Sequence, residues 1–281
     1  MSSLPNSQNV TRVLLPNGIV VLVYEKFDAQ SVVIGGSLRV GSIFESAAQN
    51  GLASLTASAL LRGGAKRDFN TINEALEDIG ADLDLGGGVN TTSFSGKSLA
   101  EDLPTLVDVL ADVVRHPTFP AKQVEGLRGE IVTGLQYRTQ DTRYRAGRAF
   151  HEALYPAEHP YHHSSRGSVE SVSKLSVAQL AQFHQQFYGP QGMIVVIVGA
   201  VKADDAIEIV RQRFEDWHNT SQPDVPAMPF VTPAKATKRA VVALPGKSQT
   251  DLVLGVPGPS RFDKDYQAAS LVNSVLGQFG M

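Results

Sequence analysis

Asn50-Gly51-Leu52-Ala53-Ser54-Leu55-Thr56-Ala57-Ser58-Ala59-Leu60-Leu61-Arg62-Gly63-Gly64 is the stretch on which the fold turns. Leu52 to Leu61 carries no charge and reads as an apolar helix, stopped by the two glycines. On its N-terminal side, Val13 to Leu15 and Ile19 to Tyr24 flank Pro16-Asn17-Gly18. Asn-Gly between apolar runs predicts a hairpin, because both residues tolerate positive φ. Ser31 to Val40 reads as a further strand. On its C-terminal side, Thr71 to Ile79 has helical spacing and stops at Gly80. Short strands are expected at Ala81 to Leu85 and Thr91 to Ser95, with Gly86-Gly87-Gly88 as a flexible connection. Leu103, Leu106, Val107, Leu110 and Val114 predict a helix closed by His116-Pro117.

Two long helices are predicted at Ala121 to Thr139 and Thr142 to Leu154, followed by a Pro- and His-rich loop from Pro156 to Gly167. A helix burying Val177, Leu180, Ala181, His184 and Phe187 leads to the apolar strand Met193 to Gly199. Asp204-Asp205 opens a helix with Ala206, Ile207, Val210, Phe214 and Trp217 on one face, its acids at the positive end of the dipole. Residues 1–217 are therefore read as one domain. From His218 to Ala236 periodicity collapses among Pro223, Pro226, Pro229 and Pro233, which predicts a linker. Strands at Ala240 to Ala243 and Asp251 to Val256 and a helix from Lys264 to Leu276 are expected in residues 237–281. That piece is too short to enclose a core, so the chain is expected to be truncated or to continue.

Ala53 to Leu61 aligns with Ala269 to Gly277 at a constant offset of 216 (269 minus 53), with five of nine residues identical. Each follows an apolar strand and a Gly-containing loop, so the linker is expected to join two copies of one α/β unit, the second cut short.

The 281 residues are 42% hydrophobic and 19% charged, with 25 basic against 28 acidic residues. The apolar fraction suffices for a packed core, and the balanced charge offers no electrostatic footprint for nucleic acid. No cysteine is present, which excludes disulfides, thiolate metal sites and a Cys nucleophile. No run approaches the roughly 18 apolar residues of a membrane span. MSSLPNSQNV has neither the basic flank nor the apolar core of a signal peptide. Cytoplasmic residence is favoured, and periplasmic residence follows if a leader was trimmed.

Chemical motifs are scarce. Gly96-Lys97-Ser98 and Gly246-Lys247-Ser248 end like phosphate loops, but Thr91 and Val241 stand where the first glycine belongs; both read as turns at strand ends. GxSxG is absent. His151-Glu152 begins an HExxH pattern that fails at Tyr155. His159, His162 and His163 share one loop, where the two adjacent side chains are expected to diverge and no metal site is read. His184 reads as a hydrogen-bonded, half-buried residue.

The segment Asn50 to Gly64 resembles the zinc-binding helix of the M16 (pitrilysin-type) metallopeptidases, the family of the mitochondrial processing peptidases and the core proteins of the cytochrome bc1 complex. Thr11 to Tyr24, Ile79-Gly80-Ala81-Asp82, His159-Pro160-Tyr161, Phe187-Tyr188-Gly189-Pro190, Val195 to Gly199, Pro257-Gly258-Pro259 and Leu271 to Gly277 follow the family's order over essentially the whole chain. The resemblance implies an α/β sandwich in each of two tandem domains, a mostly antiparallel sheet with helices on one face. It also implies a zinc site at HxxEH plus a distant Glu. Here Ser54 and Ser58 stand at the two His, Ala57 at the general base and Gly134 at the third ligand. A serine hydroxyl is neutral at pH 7 and a poor zinc ligand, and Ala and Gly offer no donor. No metal or other cofactor is therefore expected. Asp84-Leu85-Gly86 occupies the family's substrate-binding edge strand, where active relatives usually carry Asn-Ala. The implied role is the inactive subunit of a two-chain peptidase, handling unfolded peptides beside an HxxEH-bearing partner or paired with itself. The alternative is a scaffold subunit like the bc1 core proteins. A peptidase with unrelated chemistry finds no constellation to support it.

Overall fold

The computed structural model describes residues 4–232 and 235–277; Pro233 of the expected linker and the terminal Gln278-Phe279-Gly280-Met281 lie outside them. Two compact units result. One takes the chain up to Tyr137 and again from Ser164 to Ala227; the other takes Arg138–His163 and the chain from Met228 on.

The first unit is built on β1 (Thr11–Leu14), β2 (Val20–Glu25), β3 (Ser31–Leu38), α1 (Leu52–Ala59), α2 (Phe69–Glu77), β4 (Asp82–Gly87), β5 (Thr92–Leu99), α3 (Leu103–Arg115) and most of α4 (Ala121–Thr139). After α5 (Thr142–Leu154), which belongs to the other unit, it resumes with α6 (Val169–Lys174), α7 (Val177–Phe187), β6 (Ile194–Gly199) and α8 (Ala203–Phe214). The strands form one six-stranded sheet in the order β1-β2-β6-β3-β5-β4. The β2–β6 pairing is parallel and the other four are antiparallel. Alternation along the strands sends Val21, Val23, Val32, Ile34, Phe94, Val195 and Ile197 to a buried face under helices, while Val33 and Ile194 stay exposed on the other. The expected mixed α/β plan, a mostly antiparallel sheet with helices on one face, is observed.

The hairpin forms, but not through two positive-φ residues. Gly18 N–H donates to the Leu15 carbonyl (3.0 Å) and only Gly18, at φ +93°, is left-handed. A three-residue loop with glycine at that position matches the strand twist. Asn17 instead holds a distant helix end. Its buried Nδ2 donates to the carbonyls of Phe214 (2.6 Å) and Trp217 (3.2 Å), at the end of α8. Glu25 Oε1 accepts from Ala203 N (2.8 Å) at the other end of that helix, so β2 and its turn clamp α8 at both termini.

Other expectations need correction. Gly86 and Gly87 are paired strand residues opposite Ser93 and Thr92, not a flexible connection. Gly96-Lys97-Ser98 lies inside β5, opposite Ile34, Val33 and Val32, rather than in a turn. On α7 the residue turned inward with Leu180 is Phe183, and Ala181 is exposed. The glycine pair after α1 is followed by a loop fixed from α3: buried Asp112 accepts from Lys66 N with both carboxylate oxygens (3.1 and 3.2 Å).

The second unit contains α5, the loop to His163, and α9 (Tyr266–Gly277). Ala240 to Ala243 and Asp251 to Val256 are not strands. Val241, Leu252, Leu254 and Val256 are largely exposed. Strand propensity needs a partner ladder, and none meets these segments among the described residues. Within this unit a cavity of about 400 Å³ is lined by Glu152, Tyr155, His162, Phe230 and Lys238, among others.

Candidate functional site

The site expected from the sequence centres on α1. Ser54 and Ser58 are half-buried on this helix and Ala57 is fully buried. Gly134 lies exposed on α4, with open space where a side chain would start. What links α4 to the end of α1 is the ion pair Arg62–Glu130 (3.3 Å), a surface contact of small energetic weight. Among the described residues no three His, Cys, Asp or Glu side chains converge as a metal centre. The donor set itself does not fit zinc: two neutral hydroxyls, a methyl group and a bare backbone supply neither imidazole nor carboxylate.

The edge strand is brought to α1. A Cβ on Gly87 would sit 2.8 Å from Ser54 Cα and 2.9 Å from Ala53 O, so only glycine lets β4 lie this close to the helix. Leu83 is buried, Leu85 packs partly against the core, and Asp82 and Asp84 are exposed. Beyond β5, β4 has no strand partner among the described residues, so its outer edge offers unpaired N–H and C=O groups. Asp84, Leu85 and Gly86 all lie on it.

Behind this edge, Thr92 Oγ1 donates to the Val40 carbonyl and meets the Tyr188 hydroxyl, both at 3.1 Å. Thr92 has one hydroxyl proton, so the Tyr188 O–H donates to Thr92. Burial pushes the Tyr188 phenol up, out of the range of acid–base work. Its ring stacks on His184 (4.7 Å).

His184 is half-buried and its Nε2–H donates to the Val114 carbonyl (2.8 Å), as the sequence suggests. Burial drives its pKa down to about 4, against the Val114 bond, which favours the charged form; His116 adds a smaller repulsion. The unfolded chain therefore takes up a proton below about pH 6.5 that the native state refuses until about pH 4. Stability is lost as pH falls through this window, by an amount on the order of 3 kcal/mol. Urea denaturation at pH 4.5 and 7 should show that loss shrinking in His184→Gln, which keeps a donor for Val114 but does not titrate. An unchanged loss would refute the assignment.

The histidines of this loop bond to backbone groups within it and at Pro229. His159 Nδ1 accepts from Tyr161 N (3.1 Å), which leaves the proton on Nε2 to donate to the Pro229 carbonyl (3.1 Å). His151 Nδ1 donates to Tyr161 O and His162 Nδ1 to Tyr155 O. The rings of His162 and His163 do not diverge; they meet edge to face at 4.7 Å. Burial, with His162 and Arg148 nearby, holds the pKa of His163 below the usual value.

Sequence reading missed Glu45. Its carboxylate lies at the start of α1, accepting from Gly51 N (3.0 Å) and Ala53 N (2.5 Å). Gly51, the residue before the helix, has no side chain to cap it and sits at φ +96°. The only local signal was that absence of a capping side chain; the acceptor comes from six residues upstream, outside any capping-box spacing.

Two family models match the chain. Insulinase (Peptidase family M16) covers residues 20–161 and Peptidase M16 inactive domain covers residues 174–280. An uncharacterized zinc protease of Mycobacterium leprae is 28% identical over 96% of this chain and 61% of its own length. Subunit 1 of the bovine mitochondrial cytochrome b-c1 complex is 25% identical over 94% of this chain and 55% of its own. The crystal structure of a peptidase M16 inactive domain from Pseudomonas fluorescens superposes with a TM-score of 0.82 at 25% identity, covering 97% of this chain and 65% of that one. The chain thus spans about 60% of the length of such curated relatives.

Proposed function

The chain belongs to the M16 peptidase family, and on that premise we propose that it is a non-catalytic subunit of a two-chain zinc peptidase, holding peptide while an HxxEH-bearing partner cuts. The observation that carries this reading is the residue set at the family's metal site. Ser54, Ala57 and Ser58 on α1 and Gly134 on α4 supply no ligand and no general base, while the surrounding frame is kept. The open edge of β4 supports the peptide-holding part, since an extended peptide adds to such an edge as a further strand. Its exposed Asp82 and Asp84 alternate along the strand and favour basic side chains at alternate peptide positions.

We place the domain division at 1–217, a linker at 218–236 and a second M16-type domain from 237. The support is the Ala53–Leu61 and Ala269–Gly277 repeat, whose halves fall on α1 and α9. A scaffold role is the second reading, and the likeness to cytochrome b-c1 subunit 1 favours it.

The test has two parts. The purified chain, dialysed against zinc, is expected to retain none in stoichiometric amount by elemental analysis; one tightly held zinc per chain would overturn the non-catalytic reading. Affinity capture of the full-length protein from its host should recover an HxxEH-bearing chain in equal amount, and cleavage of an unfolded peptide should need both. Recovery of membrane-complex subunits instead would select the scaffold role.

A further inference from the structure

We propose that the hydroxyls of Ser54 and Ser58 bind the backbone of an extended peptide docked on β4, donating to carbonyl oxygens that the strand leaves unpaired. Docking on β4 is the premise, taken from the function proposed above; the task of the two hydroxyls is the addition. α1 is covered almost all round. Leu52, Ala53, Leu55, Thr56, Ala57 and Ala59 are buried, as are Gly51 before the helix and Leu60 after it. Ser54 and Ser58 are the exceptions, and a spacing of four residues puts them on one line along the helix. α1 therefore meets solvent through two hydroxyls. Elsewhere in the chain a helical serine turns back on its own helix: Ser173 Oγ donates to Val169 O (2.7 Å) and Ser274 Oγ to Ser270 O (3.1 Å). Ser54 and Ser58 make no such bond and have no other partner among the described residues. The next residue on the same line, Arg62, is engaged. Its guanidinium pairs with Glu130 (3.3 Å) and lies over the Phe69 ring (5.0 Å).

Position and spacing both fit a strand. Gly87, at the end of β4, rests on Ser54. The turn Leu60–Arg62 at the far end of α1 also lies against β4, so helix and strand run side by side. At ~1.5 Å per residue, Ser54 and Ser58 are about 6 Å apart along the helix. Carbonyls on one side of a strand recur every two residues, about 6.6–6.8 Å. The two hydroxyls thus match alternate carbonyls of a strand laid along β4, with a mismatch under about 1 Å. In such an added strand one set of carbonyls pairs with the N–H groups of β4 and the alternate set turns away from it. A serine has one proton to donate, which satisfies one carbonyl. Bonds to the peptide backbone add affinity without selecting side chains, so selection stays with Asp82 and Asp84.

Fluorescence anisotropy tests this, with a labelled, unstructured peptide of about ten residues, lysine at alternate positions, titrated with the 281-residue chain. The wild type should bind. Ser54→Ala and Ser58→Ala should each weaken binding by about two- to fivefold, and the double variant by about tenfold. Urea midpoints of the variants should hold or rise, because alanine favours helix more than serine does. Binding left unchanged in the double variant would overturn the role of the hydroxyls and leave peptide holding intact. A weakening that comes only with a lower urea midpoint would also overturn it, as damage to α1. No binding by the wild type would remove peptide holding itself, and the hydroxyl role with it.

Discussion

Replacing Asp112 by alanine is expected to lower stability by about 3–5 kcal/mol, the range for removing one partner of a buried charged group. The Asp112 side chain is fully buried on α3, where both oxygens take the Lys66 N–H and Arg67 lies 3.9 Å away. Its oxygens also fill the space that a side chain on Gly64 would need. Alanine would leave the Lys66 N–H unsatisfied, leave Arg67 without part of its counter-charge, and open a gap under the loop that ends α1. Asp112→Asn keeps the volume and an acceptor, so its loss should be closer to about 1–2 kcal/mol. Urea denaturation of both variants measures this. A loss under about 1 kcal/mol for the alanine variant would show that the loop is held by the ion pairs of Lys66 and Arg67 to Asp108 instead.

Gly36→Ala is the second large effect, at about 3 kcal/mol or more. Gly36 sits on the inner face of β3, opposite Phe94 of β5 and next to β6. An added methyl would collide with the Phe94 ring (Cε1 at 2.9 Å) and with the Ile194 carbonyl. The ring can turn, but the carbonyl belongs to the sheet and cannot. Adding Phe94→Leu to Gly36→Ala should therefore restore only part of the loss. Full rescue in thermal or urea denaturation would mean that the ring alone is the obstacle, and a near-neutral single variant would refute the packing at this crossing.

Glycine thus takes two roles that look alike in sequence. Gly18 is present for its left-handed turn. Gly36 and Gly87 are present because another chain segment occupies the place of their side chains. The first was legible from Asn17-Gly18 between two apolar runs. The second was not, because the atoms that exclude a Cβ come from Ile194, Phe94 and Ser54. Glu45 and Asp112 were hidden for the same reason: nothing in the residues beside them shows that the fold seats each against backbone N–H groups of another segment.

Local information determined a good deal. Apolar spacing located α3 and α8 closely, and turn chemistry located the first hairpin, because each depends on neighbours within a few residues. The same locality misled at Ala240 to Ala243 and Asp251 to Val256, where β-forming residues lack the partner strand that would order them. The sequence by itself also determined that Ser54, Ala57, Ser58 and Gly134 carry neither imidazole nor carboxylate, since folding cannot supply a group that is not in the residue. Only the tertiary structure decided that β4 lies against α1 through Gly87, that Asn17 caps α8, and that the Glu45 side chain takes the N–H groups of Gly51 and Ala53 at the start of α1. Those facts depend on close contact between residues far apart in sequence, which no local pattern encodes.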